Sequence, residues 1–549
     1  MISIDVKHAA GRWVTVHPRT YAESTRAQFA SVPGAKWDAD ARCYRAPREV
    51  AEIVLGNLEK ARAAKVVWSV WDAEPLLANG PVTHKLRDYQ AHGAQWLCDT
   101  VLATTGIHES GAALLADDLG LGKSAQAIRA ACALRGIAAF GARTDEPIAV
   151  VCPAVVVPHW RVEIAKWGES TAHTPRPKKP IARADWYVLS WDSLRTQGPR
   201  LPLTSVVIAD ELHYSSNGRS QRSKAIRAYL DRHKVRPYLI GLSGTPMQTR
   251  PRDLFHPLDL LWPGRWGTFF KFTERYCAGR WEEIPGLEKA VWKCDGASRL
   301  DELGKRLERL MLRRTKNSVM MELPPRTRVV VPVELGATAV RALGQSVMRQ
   351  SGATERSLAR TLQLIESHKL KATIELARDV AAAGGKPLIF TMTRAAAREI
   401  ADTLGTAHVT GEHPAARRRD MLLSGLEHAG CAVATMFSVT EGISLTDFDT
   451  AIFCGVDWVP SRLLQAEGRI HRFGQAAPVT IYYMIGLHTA DEVIRSTVIE
   501  RLDHFAAIVG NADNERSLSE ALGDSEDDLL LQIVEQVRAF VSETGKGAR

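Results

Sequence analysis

The chain has 549 residues, 45% of them hydrophobic and 24% charged, a composition that suits roughly two to four globular domains and excludes a disordered or fibrous protein. Its formal charge of +9 and pI near 9.1 suit a polyanionic partner, although solvated arginine-rich faces produce the same excess. No apolar run reaches the roughly eighteen residues of a membrane span, Asp5 stands where a secretory signal carries its apolar core, and the eight cysteines form no C-x-x-C pair; the expectation is an intracellular chain without zinc site or disulfide framework.

In chain order, Ile2, Ile4 and Val6 alternate, Trp13, Val14 and Val16 follow, and 50–58 has helical spacing, so 1–80 predicts a small α+β module. Residues 81–250 predict an α/β lobe, because the unalternating runs Ile148–Cys152, Val206–Ala209 and Tyr238–Leu242 look like parallel strands buried on both faces. Residues 251–384 are charged and predict a helical insertion and linker, ending near Ala381, Gly384 and Gly385. The strand signal returns at 388–391, 433–436, 451–454 and 480–484, which predicts a second lobe over 385–510. The remainder, 511–549, is acidic, with one amphipathic helix near 529–540. The fold class is therefore α/β, with two parallel-sheet lobes flanking helices.

Three segments carry chemistry. Residues 116–124 (Ala-Asp-Asp-Leu-Gly-Leu-Gly-Lys-Ser) follow an apolar run and precede a helical one, and a strand, glycine loop and helix start place backbone N–H groups around phosphates. Lys123 then neutralises β and γ phosphates and the Ser124 hydroxyl ligates magnesium, although Asp117 stands where a general phosphate loop has its first glycine. Asp210 and Glu211 follow the run Val206–Ala209; an aspartate there holds the metal and its neighbour polarises the attacking water. Arg469 and Arg472 lie three apart, so on one helix they share a face and reach a γ-phosphate as fingers from an opposing lobe.

As an ordered set these segments resemble the Swi/Snf-type DNA-dependent ATPases of helicase superfamily two, over roughly residues 84 to 505. Leu86-Arg87-Asp88-Tyr89-Gln90 resembles the family's adenine-reading segment, and 117–124 its own D-E-x-G-L-G-K-T loop, so the missing glycine follows the family pattern. Val151-Cys152-Pro153 and Ser190-Trp191-Asp192 resemble motifs that face the DNA backbone, and Leu242 to Gln248 the coupling motif. Leu312-Arg313-Arg314-Thr315-Lys316 with Leu323-Pro324-Pro325 resembles the signature of its helical insertion. Ser438 to Leu445 around Gly442, then Trp458, Pro460 and Gln465 to Gln475, resemble the final motifs. The resemblance implies two RecA-like lobes closing on one ATP with Mg2+. It assigns Lys123, Glu211, Arg469 and Arg472 to catalysis, Gln90, Gly120, Gly122, Gly442 and Gln465 to the nucleotide, Ser124 and Asp210 to the metal, and Pro153, Ser190 and Trp458 to nucleic acid. Departures at Ser216, Thr249, Val459 and Gly468 bear on coupling and DNA contacts, not on the catalytic groups.

The phrase Gln-Ala-Glu-x-Arg-Ile-His-Arg looks most like the family's annealing-helicase (HARP-like) branch, in a compact bacterial or phage form. Residues around Trp37 and Tyr44 resemble that branch's substrate-recognition domain; flanked by Lys36, Arg42 and Arg45, these aromatics either stack on unpaired bases or fill the core of a small sheet. The implied function is an ATP-dependent translocase on double-stranded or forked DNA in replication, recombination or repair, extending to fork remodelling or strand annealing. A cytoplasmic monomer with no membrane contact is expected, and no protein partner is indicated. A strand-separating DNA or RNA helicase and an ATP-gated DNA clamp with weak turnover are the alternatives.

Overall fold

The structure is a computed structural model that describes residues 85–105, 111–138, 146–283, 290–319, 323–335, 355–439, 444–457, 459–472, 474–487, 489–509, 518–519 and 522, together with the backbone of five N-terminal strands. Those strands are β1 (Ile2–Ala9), β2 (Trp13–Pro18), β3 (Lys36–Asp38), β4 (Cys43–Pro47) and β5 (Ala64–Ser69), which form one sheet in the order β3-β4-β2-β1-β5. Trp37 pairs directly with Tyr44 across β3 and β4, so both occupy one face of that sheet. The expected helix at 50–58 and the one at 529–540 lie outside the described residues.

The first lobe runs through α1 (Asp88–Ala103), β6 (Ala112–Leu115), α2 (Lys123–Ala138), β7 (Ile148–Cys152), α3 (Val157–Trp167), β8 (Ala172–His173), β9 (Trp186–Ser190), β10 (Val206–Ala209), α4 (Gln221–Asp231) and β11 (Tyr238–Leu242). Its strands read as continuous aliphatic runs because both faces are covered: β6, β7 and β10 are buried at every position. The chain next forms α5 (Phe255–Leu261), α6 (Phe269–Tyr276), a hairpin of β12 (Arg280–Glu282) and β13 (Val291–Lys293), and α7 (Leu300–Leu307). It then returns as β14 (Met311–Leu312), which pairs in parallel with β6. The parallel sheet of seven strands thus has the order β14-β6-β11-β10-β7-β9-β8.

The second sheet corrects the expected boundary at 385. Its first strand is β15 (Arg326–Val333), paired in parallel with β20 (Val479–Gly486) over its full length. Between them come α8 (Glu355–Ala382), β16 (Pro387–Thr391), α9 (Arg394–Leu404), β17 (His408–Val409), α10 (Ala415–Ala429), β18 (Ala432–Thr435), β19 (Thr450–Phe453) and α11 (Pro460–Ile470); α12 (Ala490–Val509) closes the lobe. The order is β15-β20-β19-β16-β18-β17, all parallel, with the rings of Phe390, Phe453 and Tyr483 stacked across three adjacent strands. The region expected as insertion and linker, 251–384, therefore contributes a strand to each sheet. Arg326 and Arg328 broke the apolar pattern of β15 in the sequence, and both turn out to be buried ion-pair partners.

The lobes are packed together. α12 reaches the first lobe, where Phe505 and Ile508 join its hydrophobic cluster. Gly304 of α7 is required there, since a Cβ would stand 2.3 Å from the Ile508 carbonyl oxygen.

Candidate active site

In the first sheet β6, β11 and β10 are neighbours, so the segments leaving their C-terminal ends converge at one edge, where open α/β sheets bind ligands. From β6 the loop at 116–122 turns into α2, with positive φ at Gly120 (91°) and Gly122 (74°). Lys123, the first residue of α2, turns its ammonium back onto the loop and donates to the carbonyl oxygens of Asp117 at 2.7 Å and Asp118 at 3.2 Å. Burial holds its pKa below the ordinary lysine value, against Glu211, Asp117, Asp210 and Asp118. Ser124 is half-buried in the same helical turn. Gln90 accepts from the Arg87 N–H at 3.1 Å and donates to the Leu121 carbonyl at 3.3 Å, so the expected adenine reader lies against the loop itself.

Asp117 and Asp118 give the departure from the glycine pattern a physical role. Asp117 is fully buried, and Oδ1 accepts the Arg314 backbone N–H at 3.1 Å and its Nε at 3.0 Å, while Oδ2 accepts Nη2 of the same arginine and Gln126 Nε2. Asp118 accepts from Arg313 Nη2 at 2.9 Å and from the Lys316 backbone N–H at 3.1 Å. The phosphate loop is thereby tied to 313–316, a segment quoted in the sequence only as a signature. Charge-assisted, bidentate bonds of this kind fix geometry as well as energy.

Beyond β10, Asp210 Oδ2 accepts the Trp160 indole N–H at 2.8 Å, and the Trp191 indole donates to the Asp210 carbonyl at 2.9 Å. Glu211 has φ of 49°, a left-handed conformation that costs a side-chain-bearing residue about 1–2 kcal/mol. His213 Nδ1 lies 3.2 Å from Glu211 Oε2 and 3.3 Å from Ser243 Oγ, which joins the acidic segment to the one leaving β11. Burial and the adjacent Glu211 push Asp210 up to about 7. Glu211 moves the other way: burial disfavours its charge, but His213, Lys123 and Arg469 together hold it low. Two adjacent half-buried carboxylates, with the Ser124 hydroxyl, offer the hard oxygen donors that magnesium takes.

The second lobe supplies the opposite wall. α11 is anchored by Glu467, fully buried, which accepts from Arg328 Nε at 2.8 Å and Nη2 at 2.6 Å, from Arg326 at 3.2 Å and from the Tyr483 hydroxyl. Burial would raise its pKa, yet Arg328 and Arg326 bring it down to about 2. With that anchor set, Gly468 faces the phosphate loop, a Cβ there lying 3.4 Å from Leu119 Cβ. Arg469 is close enough to lower the Glu211 pKa. A Cβ added to Gly120 would lie 3.3 Å from Arg472 Cβ, which puts Arg472 across the loop. One expectation is corrected. α11 ends at Ile470, so Arg469 and Arg472 do not share a helical face; His471 breaks the helix, its ring bonded to the Pro324 carbonyl at 2.9 Å and its own carbonyl held by Lys316 Nζ.

Gln465 lines an interlobe cleft of about 550 Å³ with His213, Gln248 and Arg462. Pro153, expected at the nucleic acid, is buried, because it packs where β7 turns into α3, and its ring is not offered to a partner. Ser190 is half-buried and spends its hydroxyl on the Ser193 N–H at 3.1 Å. Gly442 and Trp458 lie outside the described residues, as do the side chains of Trp37 and Tyr44. Among the described residues, no helix is long and apolar enough to cross a membrane.

The SNF2-related domain matches residues 89–381, more than half of the chain, and the helicase conserved C-terminal domain matches 368–474. The chain is 28% identical over 476 residues to the DNA annealing helicase and endonuclease ZRANB3 of Bos taurus, covering 79% of this chain and 42% of that protein. It is also 28% identical over 422 residues to the SWI/SNF-related matrix-associated actin-dependent regulator of chromatin subfamily A-like protein 1 of Xenopus tropicalis, covering 72% and 43%. The chain thus spans less than half the length of these relatives. Among solved structures, the Sulfolobus solfataricus SWI2/SNF2 ATPase core in complex with dsDNA is 21% identical, with a TM-score of 0.38, over 84% of this chain and 98% of that one.

Proposed function

The chain belongs to the SNF2-related family, and from that premise we propose that it is a DNA-dependent ATPase that translocates on duplex or forked DNA in replication, recombination or repair. The observation that carries the reading is the position of Arg472 against Gly120, a guanidinium-bearing residue of one lobe packed over the phosphate loop of the other. ATP is the substrate, and Ser124 and Asp210 would hold a magnesium ion that would neutralise charge on its phosphates. Lys123 exchanges its two loop carbonyls for phosphate oxygens. Glu211, held ionised by its basic neighbours, accepts a hydrogen bond from the attacking water and orients it. Arg469 and Arg472 stabilise the charge that develops on the transferred group. Gln90 and Gln465 position the nucleotide, and opening and closing of the lobes advances the protein along the phosphate backbone.

Fork remodelling or strand annealing is the finer form of this proposal. It is supported by the bovine relative's name as an annealing helicase and by the paired register of Trp37 and Tyr44, which suits a stacking surface for unpaired bases. The same proposal takes the protein as a cytoplasmic monomer of a bacterial or phage-infected cell.

ATPase rates with duplex, forked and single-stranded DNA and with RNA test the reading. Duplex or forked DNA should stimulate turnover most, and stimulation by RNA alone would overturn it. An arginine finger is worth about 10³ to 10⁵ in rate, so Arg472→Ala should nearly abolish turnover while nucleotide binding, followed with a fluorescent ATP analogue, persists. Undiminished hydrolysis by that variant would remove the finger assignment.

A further inference from the structure

We infer that Lys316 is a positioning residue that locks the arginine-bearing turn of the second lobe onto the phosphate loop of the first, an inference that rests on the ATPase reading above. Its backbone belongs to the first lobe: Lys316 comes after β14, and its N–H donates to Asp118 Oδ2 at 3.1 Å, inside the loop. Its side chain serves the second, donating from Nζ to the carbonyl oxygen of His471, the residue directly before Arg472 and two after Arg469. A Cβ at Gly120 would lie 3.7 Å from Lys316 Cε, and one at Gly468 3.9 Å from its Nζ, so this side chain stands between the two walls of the site. The gap it shares with Asp118, Leu119, Thr245, Arg326 and Gly468 has a volume of only about 10 Å³. That is room for about one water, and Lys316 spans the gap from the loop of one lobe to the His471 carbonyl of the other.

Stability does not account for an ammonium in this place. Lys316 is 6% exposed and, among the described residues, makes no ion pair and has one acceptor for three N–H donors. Glu467, a carboxylate near it, is already engaged by Arg326 and Arg328. Asp118 is held by Arg313. Burial above all brings the Lys316 pKa down to about 7; Asp118 and Glu467 oppose the shift, and Arg326 and Arg472 add to it. A buried cation so sparsely served is costly, so an apolar side chain of similar volume relieves that cost, which offsets the roughly 1–3 kcal/mol of leaving the His471 carbonyl without its donor. What the ammonium achieves is orientation: it fixes the peptide from which Arg472 departs, and a displacement of about 1 Å in such a group costs on the order of 10²-fold in rate.

The test is Lys316→Met in the full chain, with duplex-DNA-stimulated ATPase, binding of the fluorescent ATP analogue and thermal unfolding measured together. The expected result is a kcat lowered between about tenfold and a hundredfold, a KM for ATP and analogue affinity within about twofold of wild type, and an unfolding temperature within about 5 °C of wild type. Wild-type kcat in the variant overturns the inference. So does a loss of turnover accompanied by a fall in unfolding temperature of more than about 5 °C, which would make Lys316 a structural residue. If the wild-type protein shows no nucleotide-dependent turnover, the ATPase reading itself has failed; a fully active Arg472→Ala removes the finger assignment and this inference with it; full activity of Lys316→Met beside an inactive Arg472→Ala sinks this inference alone.

Discussion

Glu467→Gln leaves two buried guanidinium groups facing an amide, and the burial of all three side chains sets the cost. The carboxylate is fully buried, and its partners Arg328 and Arg326 have side chains only 2% and 10% exposed. An amide offers one acceptor oxygen where the carboxylate offered two, and its NH2 group opposes the N–H donors of an arginine. Removing one member of a buried charge pair costs about 3–5 kcal/mol, chiefly because the remaining charge loses its compensation. The loss falls on α11, since Glu467 ties that helix to β15 and β20. Amide hydrogen exchange resolves it locally: about 3–5 kcal/mol corresponds to a fall in protection on α11 of about 10² to 10⁴. Protection within tenfold of wild type would refute the argument. A second arm sharpens it. Glu467→Leu combined with Arg326→Met and Arg328→Met removes every charge at once and should be far less damaging than the single change; equal damage would mean that packing, not uncompensated charge, governs the site.

Glu467 also predicts acid sensitivity. Its pKa in the folded chain is about 2, against 4.5 ordinarily, so its contribution is complete above pH 4.5 and is lost as pH falls toward 2. The amount is on the order of 3 kcal/mol. Denaturant unfolding between pH 5 and 2 should show that loss in wild type and a flatter profile in Glu467→Gln; parallel profiles would contradict the assignment. Gly120→Ala introduces a side chain at φ of 91° with its Cβ 3.3 Å from Arg472 Cβ. The backbone cost is about 1–2 kcal/mol, and the finger turn is pushed outward, so kcat should fall at least about tenfold, checked by steady-state ATPase. Wild-type turnover would show that the contact is not needed.

The strands of both sheets were legible where the chain wrote uninterrupted aliphatic runs, as at Val206–Ala209, because burial on both faces leaves no polar position to blur the signal. β15 was not, since it opens on Arg326, Thr327 and Arg328, its aliphatic run is cut by Pro332, and the arginines serve a carboxylate 139 residues away from the second of them. The motif order pointed to Lys123, Asp210, Glu211, Arg469 and Arg472, because the lysine follows a glycine loop, the acidic pair follows β10, and the two arginines lie in the last turn of α11 and just beyond its end. Which partners the supporting side chains take was not legible, for the opposite reason. Trp160 is separated by 50 positions from the Asp210 it donates to, and Arg314 by 197 from Asp117. A helical period placed Arg469 and Arg472 on one face, whereas the bonds made by His471 end the helix before the second arginine is reached.

The long separation between Asp117 and Arg314 carries a consequence for the order in which the protein matures. A nascent chain that has left the ribosome only as far as residue 250 already contains the whole nucleotide-loop sequence, with Gln90 and Gln126 to hold it, but none of the arginine and lysine groups at 313–316 that brace Asp117 and Asp118. Asp117 and Asp118 would then be exposed to water, Lys123 would have no fixed loop to fold back upon, and premature nucleotide capture would be weak. On the proposed ATPase reading, the fully braced loop is available only after the segment at 313–316 has been synthesised, by which time the chain is committed to β14 and on the point of starting the second sheet.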